Sequence, residues 1–400
     1  MKRRHFLTTS LAATIATRLR AADGSPAKKI TLRSSWQTVN IGDIAHTPGM
    51  LALLEKYQPQ AEITLWPSSV KDGVSELLLA RFPRLKIALT AQERQTALNE
   101  CDFFLHGSGP GIVGKKEMLS AQKADKPYGF GGITLNDGEI ENDRALLQGA
   151  KFVFLRDTQS LNALKASPYS GPEPLFGPDA TFAVDLQDKA AAEKLLAEHK
   201  LEPGKFLCAV PRLRWTPYWE IHKQPVNEER DAINKEFAEK DHAKLREGIT
   251  AWVRETGMKV FLTPEMTYAV PLLKPLLFDG LPDDVKPSVA IMDGYWLTDE
   301  ANSVYSMAAA VVSFECHSPI LAIGSKTPAV YLRQPTDTRK GQMYRDIGVP
   351  QWIHEIEDVE GKDIAATLLK IASDPALAKK TVTAAHDLAH AKMKAMAEEV

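Results

Sequence analysis

Phe103-Phe104-Leu105-His106-Gly107-Ser108-Gly109-Pro110-Gly111 sets the terms for reading this chain. A short, wholly apolar run has the character of a fully buried strand. It passes straight into three glycines in five residues, which permit positive φ and close backbone approach. Such a loop suits a phosphate or a sugar, and it equally suits a tight turn. The glycine spacing is not that of a nucleotide P-loop or a complete dinucleotide fingerprint, and no Lys-Ser/Thr pair follows. The same grammar recurs on both sides. Strands are expected at Ile30–Leu32, Glu62–Trp66, Leu85–Leu89, Cys101–Leu105, Tyr128–Leu135 and Phe152–Leu155, most of them separated by helical patterns. After Pro172, Pro174 and Pro178, a connecting helix over 188–199 leads to a second series at Phe206–Val210, Lys259–Leu262, Val289–Met292, Ala310–Phe314 and Ala329–Leu332. The segment Asn227–Thr256 reads as a long helix, and helices at 361–372 and 376–398 are split by Pro375. Repeated strand–helix units argue for an α/β chain with two Rossmann-like parallel-sheet domains, at 29–187 and 188–355, facing a central cleft. The C-terminal helices of 361–400 are then free to cross back. In such sheets a ligand lies beyond the carboxyl ends of the strands.

The 400 residues are 44% hydrophobic and 25% charged, enough for two cores. No run approaches the roughly 20 apolar residues of a membrane-spanning helix. Residues 1–22 carry Lys2, Arg3, Arg4, Arg18 and Arg20 and no acid, leaving 44 basic against 51 acidic residues beyond them. A body that acidic is a poor nucleic-acid binder. Arg3-Arg4 ahead of Phe6-Leu7 and a weakly apolar run resembles a twin-arginine signal. That predicts a periplasmic or extracellular destination, or a cytoplasmic one if the signal is not used. Cys101, Cys208 and Cys316 are too few and too scattered for a disulfide framework or a zinc set, and read as buried thiols. No metal-ligand set stands out.

Chemistry is sought in the loops that leave strand ends. Asn40-Ile41-Gly42-Asp43 can offer backbone N–H groups to an anion or hydroxyl, or can simply start a helix with Asp43 as its cap and Gly42 turning the chain. At Arg156-Asp157, Asp157 is a natural N-cap, while Arg156 can reach the cleft or pair with an acid. Arg212 and Arg214, beside Trp215, suit an anion together with a flat or sugar-like face, unless they are solvated surface residues. In Ser313-Phe314-Glu315-Cys316-His317-Ser318-Pro319, spacing two puts Glu315 and His317 on one side while the chain stays extended. Ser318 and Pro319 would then open a helix. A carboxylate beside an imidazole makes an acid/base pair. His386 and His390, four apart near the C-terminus, read as a solvated helix face.

Taken in order, Asn40-x-Gly42-Asp43, Gly107-Ser108-Gly109, Pro127-Tyr128-Gly129, Arg156-Asp157-x-x-Ser160, Pro178-Asp179-Ala180, Ser313-x-Glu315-x-His317, Gly324…Pro328, Arg339-Lys340 and Asp346-Ile347-Gly348 resemble the polysaccharide pyruvyl transferase family over roughly residues 30–350. The resemblance implies a glycosyltransferase-B-like fold. It also implies an enzyme that moves the enolpyruvyl unit of phosphoenolpyruvate, a co-substrate and not a cofactor, onto a glycan or polysaccharide acceptor as a ketal. Protonating the donor's methylene, stabilising the oxocarbenium and deprotonating a sugar hydroxyl are its chemical demands. Carried over by motif, His317 is the acid/base residue, and Arg339, Lys340 and Arg212 hold the donor. Arg214 and Ser313 are grouped with them, and Asn40, Gly42, Asp43, Gly107, Ser108, Gly109 and Arg156 with the substrate. Glu315 stands where many members have arginine. An anion there should repel a triply charged donor. Either Arg212, Arg214, Arg333, Arg339 and Lys340 take over that charge, or the donor differs: the alternatives are a glycosyltransferase-like enzyme or a non-catalytic glycan-binding protein of the same fold.

Overall fold

A computed structural model describes residues 27–400, so the export signal expected at 1–22 lies outside the described residues. Seven parallel strands form the first sheet: β1 (Lys29–Ser34), β2 (Glu62–Pro67), β3 (Lys86–Ile87), β4 (Phe103–His106), β5 (Tyr128–Ile133), β6 (Val153–Leu155) and β7 (Leu175–Phe176). Their order is β3-β2-β1-β4-β5-β6-β7. Six more make the second sheet: β8 (Phe206–Val210), β9 (Lys259–Leu262), β10 (Val289–Ile291), β11 (Ala310–Ser313), β12 (Ala329–Arg333) and β13 (Ile353–Glu355). Its order, β10-β9-β8-β11-β12-β13, repeats the doubly wound pattern, and every pairing is parallel. Each sheet therefore reverses its winding between its first and fourth strands, β1/β4 and β8/β11. At that point loops splay apart and leave a crevice. β7 and β13, two and three residues long, carry too little pattern to be read from sequence. The expected strand at Leu85–Leu89 shortens to two residues, because Pro83 precedes it and Thr90 caps the next helix.

The strands that reach the switch points are buried on both faces, which is why they read as unbroken apolar runs. The long helix Glu228–Thr256 begins where the Asn227 side chain accepts from the Arg230 N–H and ends at Gly257, φ +68°. Leu245, Ile249, Trp252 and Val253 are its buried stripe, as expected. The last helix, Pro375–Glu398, starts with Asp374 capping Leu377 N–H at 2.9 Å and crosses back to the first sheet. There Gln58 donates to the Ala397 carbonyl at 3.2 Å, and Lys28 reaches Val400. The expectation of a solvated face at His386 and His390 is corrected for His390, whose Nε2 donates inward to the Phe182 carbonyl at 3.2 Å. All three cysteines are buried and free. None of the described helices is long and apolar enough to cross a membrane.

The halves are joined by backbone on one side of the crevice. Ile41 N–H donates to Glu265 O at 3.1 Å and Thr267 N–H to Val39 O at 3.0 Å. On the other side, Thr158 bonds Asp346 through its N–H at 2.8 Å and its hydroxyl at 2.7 Å.

Candidate active site

His317 arrives from β11. Ser313 Oγ accepts from the Glu315 N–H at 2.9 Å and donates to the Glu315 carbonyl at 2.8 Å, so the strand ends in a tight turn. Cys316 is already in right-handed α geometry, and the helix His317–Gly324 starts at once. This corrects the extended reading. Glu315 and His317 are not successive same-side residues of an extended strand, although both line the cavity described below, and Ser318 and Pro319 lie inside the helix instead of opening it. The residue that orients His317 is Glu265, which follows β9 and is fully buried. Its Oε1 lies 3.3 Å from His317 Nδ1, and its Oε2 accepts from Ser318 N–H at 2.6 Å and Ser318 Oγ at 2.8 Å. Burial works against its charge, but His317 and the Ser318 donors outweigh that and hold Glu265 below the usual carboxylate range. The sequence signal for Glu265 was slight: an acid just beyond the carboxyl end of an expected strand.

Gly42 lies beneath the ring. A Cβ at Gly42 would stand 2.2 Å from His317 Cγ and Nδ1, so only glycine admits the imidazole. On the reading of His317 as the acid/base residue, Gly42→Ala is expected to lower kcat by about 100-fold or more, since displacing such a group by about 1 Å costs that much. Overpacking of this kind destabilises by about 1–3 kcal/mol. Steady-state kinetics beside a thermal melt checks both effects.

A second histidine lies on the same helix, Ile41–Tyr57, one turn beyond Gly42. His46 is fully buried, its Nδ1 2.9 Å from Asp179 Oδ1 and 2.7 Å from Ser108 Oγ. Asp179 also binds the Arg156 guanidinium, whose Nε donates to Thr134 Oγ1 at 2.8 Å. Burial penalises the Asp179 charge, yet His46 and Arg156 hold its carboxyl well below the usual range. His46, Asp179 and His317 offer ligand atoms within 4.8 Å of one another. The Arg156 cation already occupies Asp179 and opposes a second cation there, so this cluster does not fit a metal ion well.

Between the sheets His317 and Arg156 line a cavity of about 240 Å³, with their buried partners behind them. Of the residues singled out in the sequence, Asn40, Asp43, Arg156, Arg212, Glu315, His317 and Lys340 line it. Trp215, Tyr218 and Arg230 join them, with the Arg230 guanidinium 4.3 Å from the centre of the Trp215 ring. Arg212 approaches Asp337 at 2.8 Å and Glu315 at 3.2 Å, the latter off the line of a hydrogen bond. One guanidinium cannot neutralise two buried carboxylates. Asp337 is held low, with Arg212 and Lys340 prevailing over burial, whereas burial drives Glu315 upward. Lys340 makes no ion pair within 4.0 Å among the described residues, and the nearby Asp337 carboxylate favours its charged form against the cost of burial.

The other candidates do structural work. Asn40 is itself the helix cap, accepting from Gly42 N–H at 2.6 Å and Asp43 N–H at 3.3 Å, so those N–H groups are not free for an anion and Asp43 is not the cap. Gly107 packs against Ser34 and Gly109 against Trp36, and of the glycines in their loop only Gly111 has positive φ, +122°. Ser108 turns into the His46–Asp179 cluster. Arg214 grips Asp241 through two bonds of 2.9 Å and stacks on Phe237. Arg339 pairs with Asp137 at 2.7 Å, tying the halves together. Ser313 shapes the turn. Asp157 caps its helix, accepting from Ser160 N–H at 2.6 Å.

Comparison with known proteins agrees with this architecture. The chain is similar in structure to MnaA of S. aureus, in a co-structure with UDP (TM-score 0.58, 12% identity, 89% of this chain and 91% of that chain covered). It is also similar to UDP-GlcNAc 2-epimerase of Neisseria meningitidis (0.55, 10%, 91% and 97%) and to the E. coli ADP-heptose lps heptosyltransferase II (0.50, 15%, 87% and 99%). At these identities the likeness establishes the glycosyltransferase-B-like fold alone. No curated protein matches the sequence. The family model for polysaccharide pyruvyl transferase matches residues 40–334, from the cap of the first helix through β12. The chain belongs to the polysaccharide pyruvyl transferase family.

Proposed function

We propose that the chain transfers the pyruvyl group of phosphoenolpyruvate to a hydroxyl pair on a glycan, with His317 as acid/base residue. The observation that carries the reading is a set of unsatisfied polar atoms around one small cavity. Arg156 Nη2, Arg212 Nε and His317 Nε2 are all buried without a hydrogen-bond partner, on residues that line it. Buried donors are rarely left unpaired, and a ligand bearing anionic oxygens would satisfy them. Lys340 and Arg230 add charge at the wall. At about 240 Å³ the cavity is smaller than the roughly 300–1,000 Å³ of drug-sized sites, which favours a three-carbon donor over a sugar nucleotide.

Each residue then has a task. Glu265 fixes the His317 ring through Nδ1 and leaves Nε2 for proton transfer. His317 gives a proton to the donor's methylene carbon and takes one from the acceptor hydroxyl that attacks the oxocarbenium, while phosphate leaves with the proton of the second hydroxyl. Glu315, pushed toward its neutral form, does not repel the donor as an ionised carboxylate would. Trp215 and Tyr218 offer flat faces to a sugar ring. Incubating the chain with phosphoenolpyruvate and oligosaccharides tests this reading. The expected result is stoichiometric phosphate release and a ketal methyl signal in the carbon NMR spectrum. Phosphate release with no ketal would contradict it.

A further inference from the structure

His46 and His317 meet edge to face, with ring centres 5.1 Å apart and planes at 85°. Each directs Nδ1 at a carboxylate, Asp179 and Glu265 respectively, and each has a buried Nε2 with no partner. The two carboxylates differ in how they are matched. Asp179 already holds Arg156, whereas Glu265 receives only Ser318 and His317. Asp43, Glu315 and Lys340 face the pair across the cavity. Two positive rings at this distance in a water-poor site repel each other strongly.

We propose that His46 and His317 hold one proton between them, carried by His317, with His46 a positioning residue kept neutral behind it. The proposal rests on the reading of His317 as the acid/base residue. The unmatched Glu265 draws the proton to His317, and the Arg156–Asp179 pair denies it to His46. Burial lowers the His46 pKa and prevails over Asp179, which raises it, and the neighbouring charges of His317 and Arg156 act with burial. In turnover the pair alternates between one proton and none. The N–H bond at His317 Nε2 breaks as the C–H bond of the donor's methyl forms, and it re-forms with the proton of the attacking hydroxyl.

Nitrogen NMR of the histidine-labelled protein between pH 8 and 4 tests the pair without any substrate. The parent should show a neutral His46, protonated at Nδ1, while His317 takes up its proton. In His317→Gln, the His46 titration should move up by about two pH units, the interaction of two unit charges about 5 Å apart at an effective dielectric near 20. An unchanged His46 titration in His317→Gln, or two charged rings in the parent at pH 6, overturns the pair. A chain that transfers no pyruvyl group could still show the pair, and a working transferase whose rings titrate independently would refute the pair alone.

Discussion

Stability is expected to fall below pH 6.5, by about 1–3 kcal/mol per pH unit, as the fully buried histidines resist protonation while Glu315, which burial raises to about 8, offsets the contribution of about one ring. His106 donates from Nδ1 to the Gly107 carbonyl at 2.7 Å, and its Nε2 accepts from Gly114 N–H at 3.2 Å. His242 donates to the Ala238 carbonyl at 2.6 Å, and its Nε2 accepts from Arg212 N–H at 3.4 Å. A second proton on either ring would break a bond to the backbone. Burial lowers His106 to about 3 and His242 to about 4, and it lowers His46 as well. In the unfolded chain these rings bind protons near pH 6.5, so acid favours unfolding. Their contribution is complete above the unfolded pKa and is lost as pH falls toward the folded values. Each ring supplies about 1.4 kcal/mol per pH unit. Asp179, also depressed, extends the loss below about pH 4. Denaturant titrations at pH 7.5, 6 and 5 read the slope directly. A flat stability between pH 7 and 5 would show that these rings are not held neutral.

Glu265→Gln is expected to lower kcat by about 10²–10⁴-fold with the fold retained, the range associated with loss of positioned acid–base catalysis. The carboxylate accepts from His317 Nδ1 and from Ser318, which fixes the ring and leaves Nε2 to give up and take back the transferred proton. A glutamine can still accept from Ser318 N–H, but its amide donates toward Nδ1. The ring then carries its proton at Nε2 and cannot act as a base there. The affinity for the donor should change less than twofold, because Glu265 does not line the cavity. Kinetics at saturating acceptor separates the two effects. An unchanged kcat would remove Glu265 from the mechanism.

The two parallel-sheet domains were legible because the central strands are buried on both faces, and runs such as Phe103–Leu105 and Phe206–Val210 need no partner to be recognised; their order in each sheet was not. His317 was legible for a local reason too: it stands at the end of an apolar strand, where a helix begins. Its partner was not. The spacing of two that linked Glu315 to His317 assumed an extended chain, and the Ser313–Glu315 turn breaks that two residues early. Glu265 and His46 reach the site from 52 residues upstream and from the other half of the chain, through contacts that no periodicity encodes. The glycines misled in an instructive way. Most of them serve close packing, Gly42 under an imidazole and Gly109 against Trp36, and Gly111 alone in its loop takes the left-handed backbone. Arginines are equally ambiguous on paper. Arg212 and Arg156 face the cavity, while Arg214 and Arg339 spend their charge on Asp241 and Asp137.

Calorimetric titration with phosphoenolpyruvate, on the parent chain and on Lys340→Ala, tests the central claim most directly. Lys340 is a cavity-lining cation that makes no ion pair among the described residues, and unlike Arg230 it is not stacked on an aromatic ring. The account predicts binding to the parent, a loss of affinity of about tenfold or more in the variant, equivalent to about 1.4 kcal/mol, and no heat from a sugar nucleotide. Absence of heat at millimolar phosphoenolpyruvate, or equal affinity in parent and variant, would contradict it.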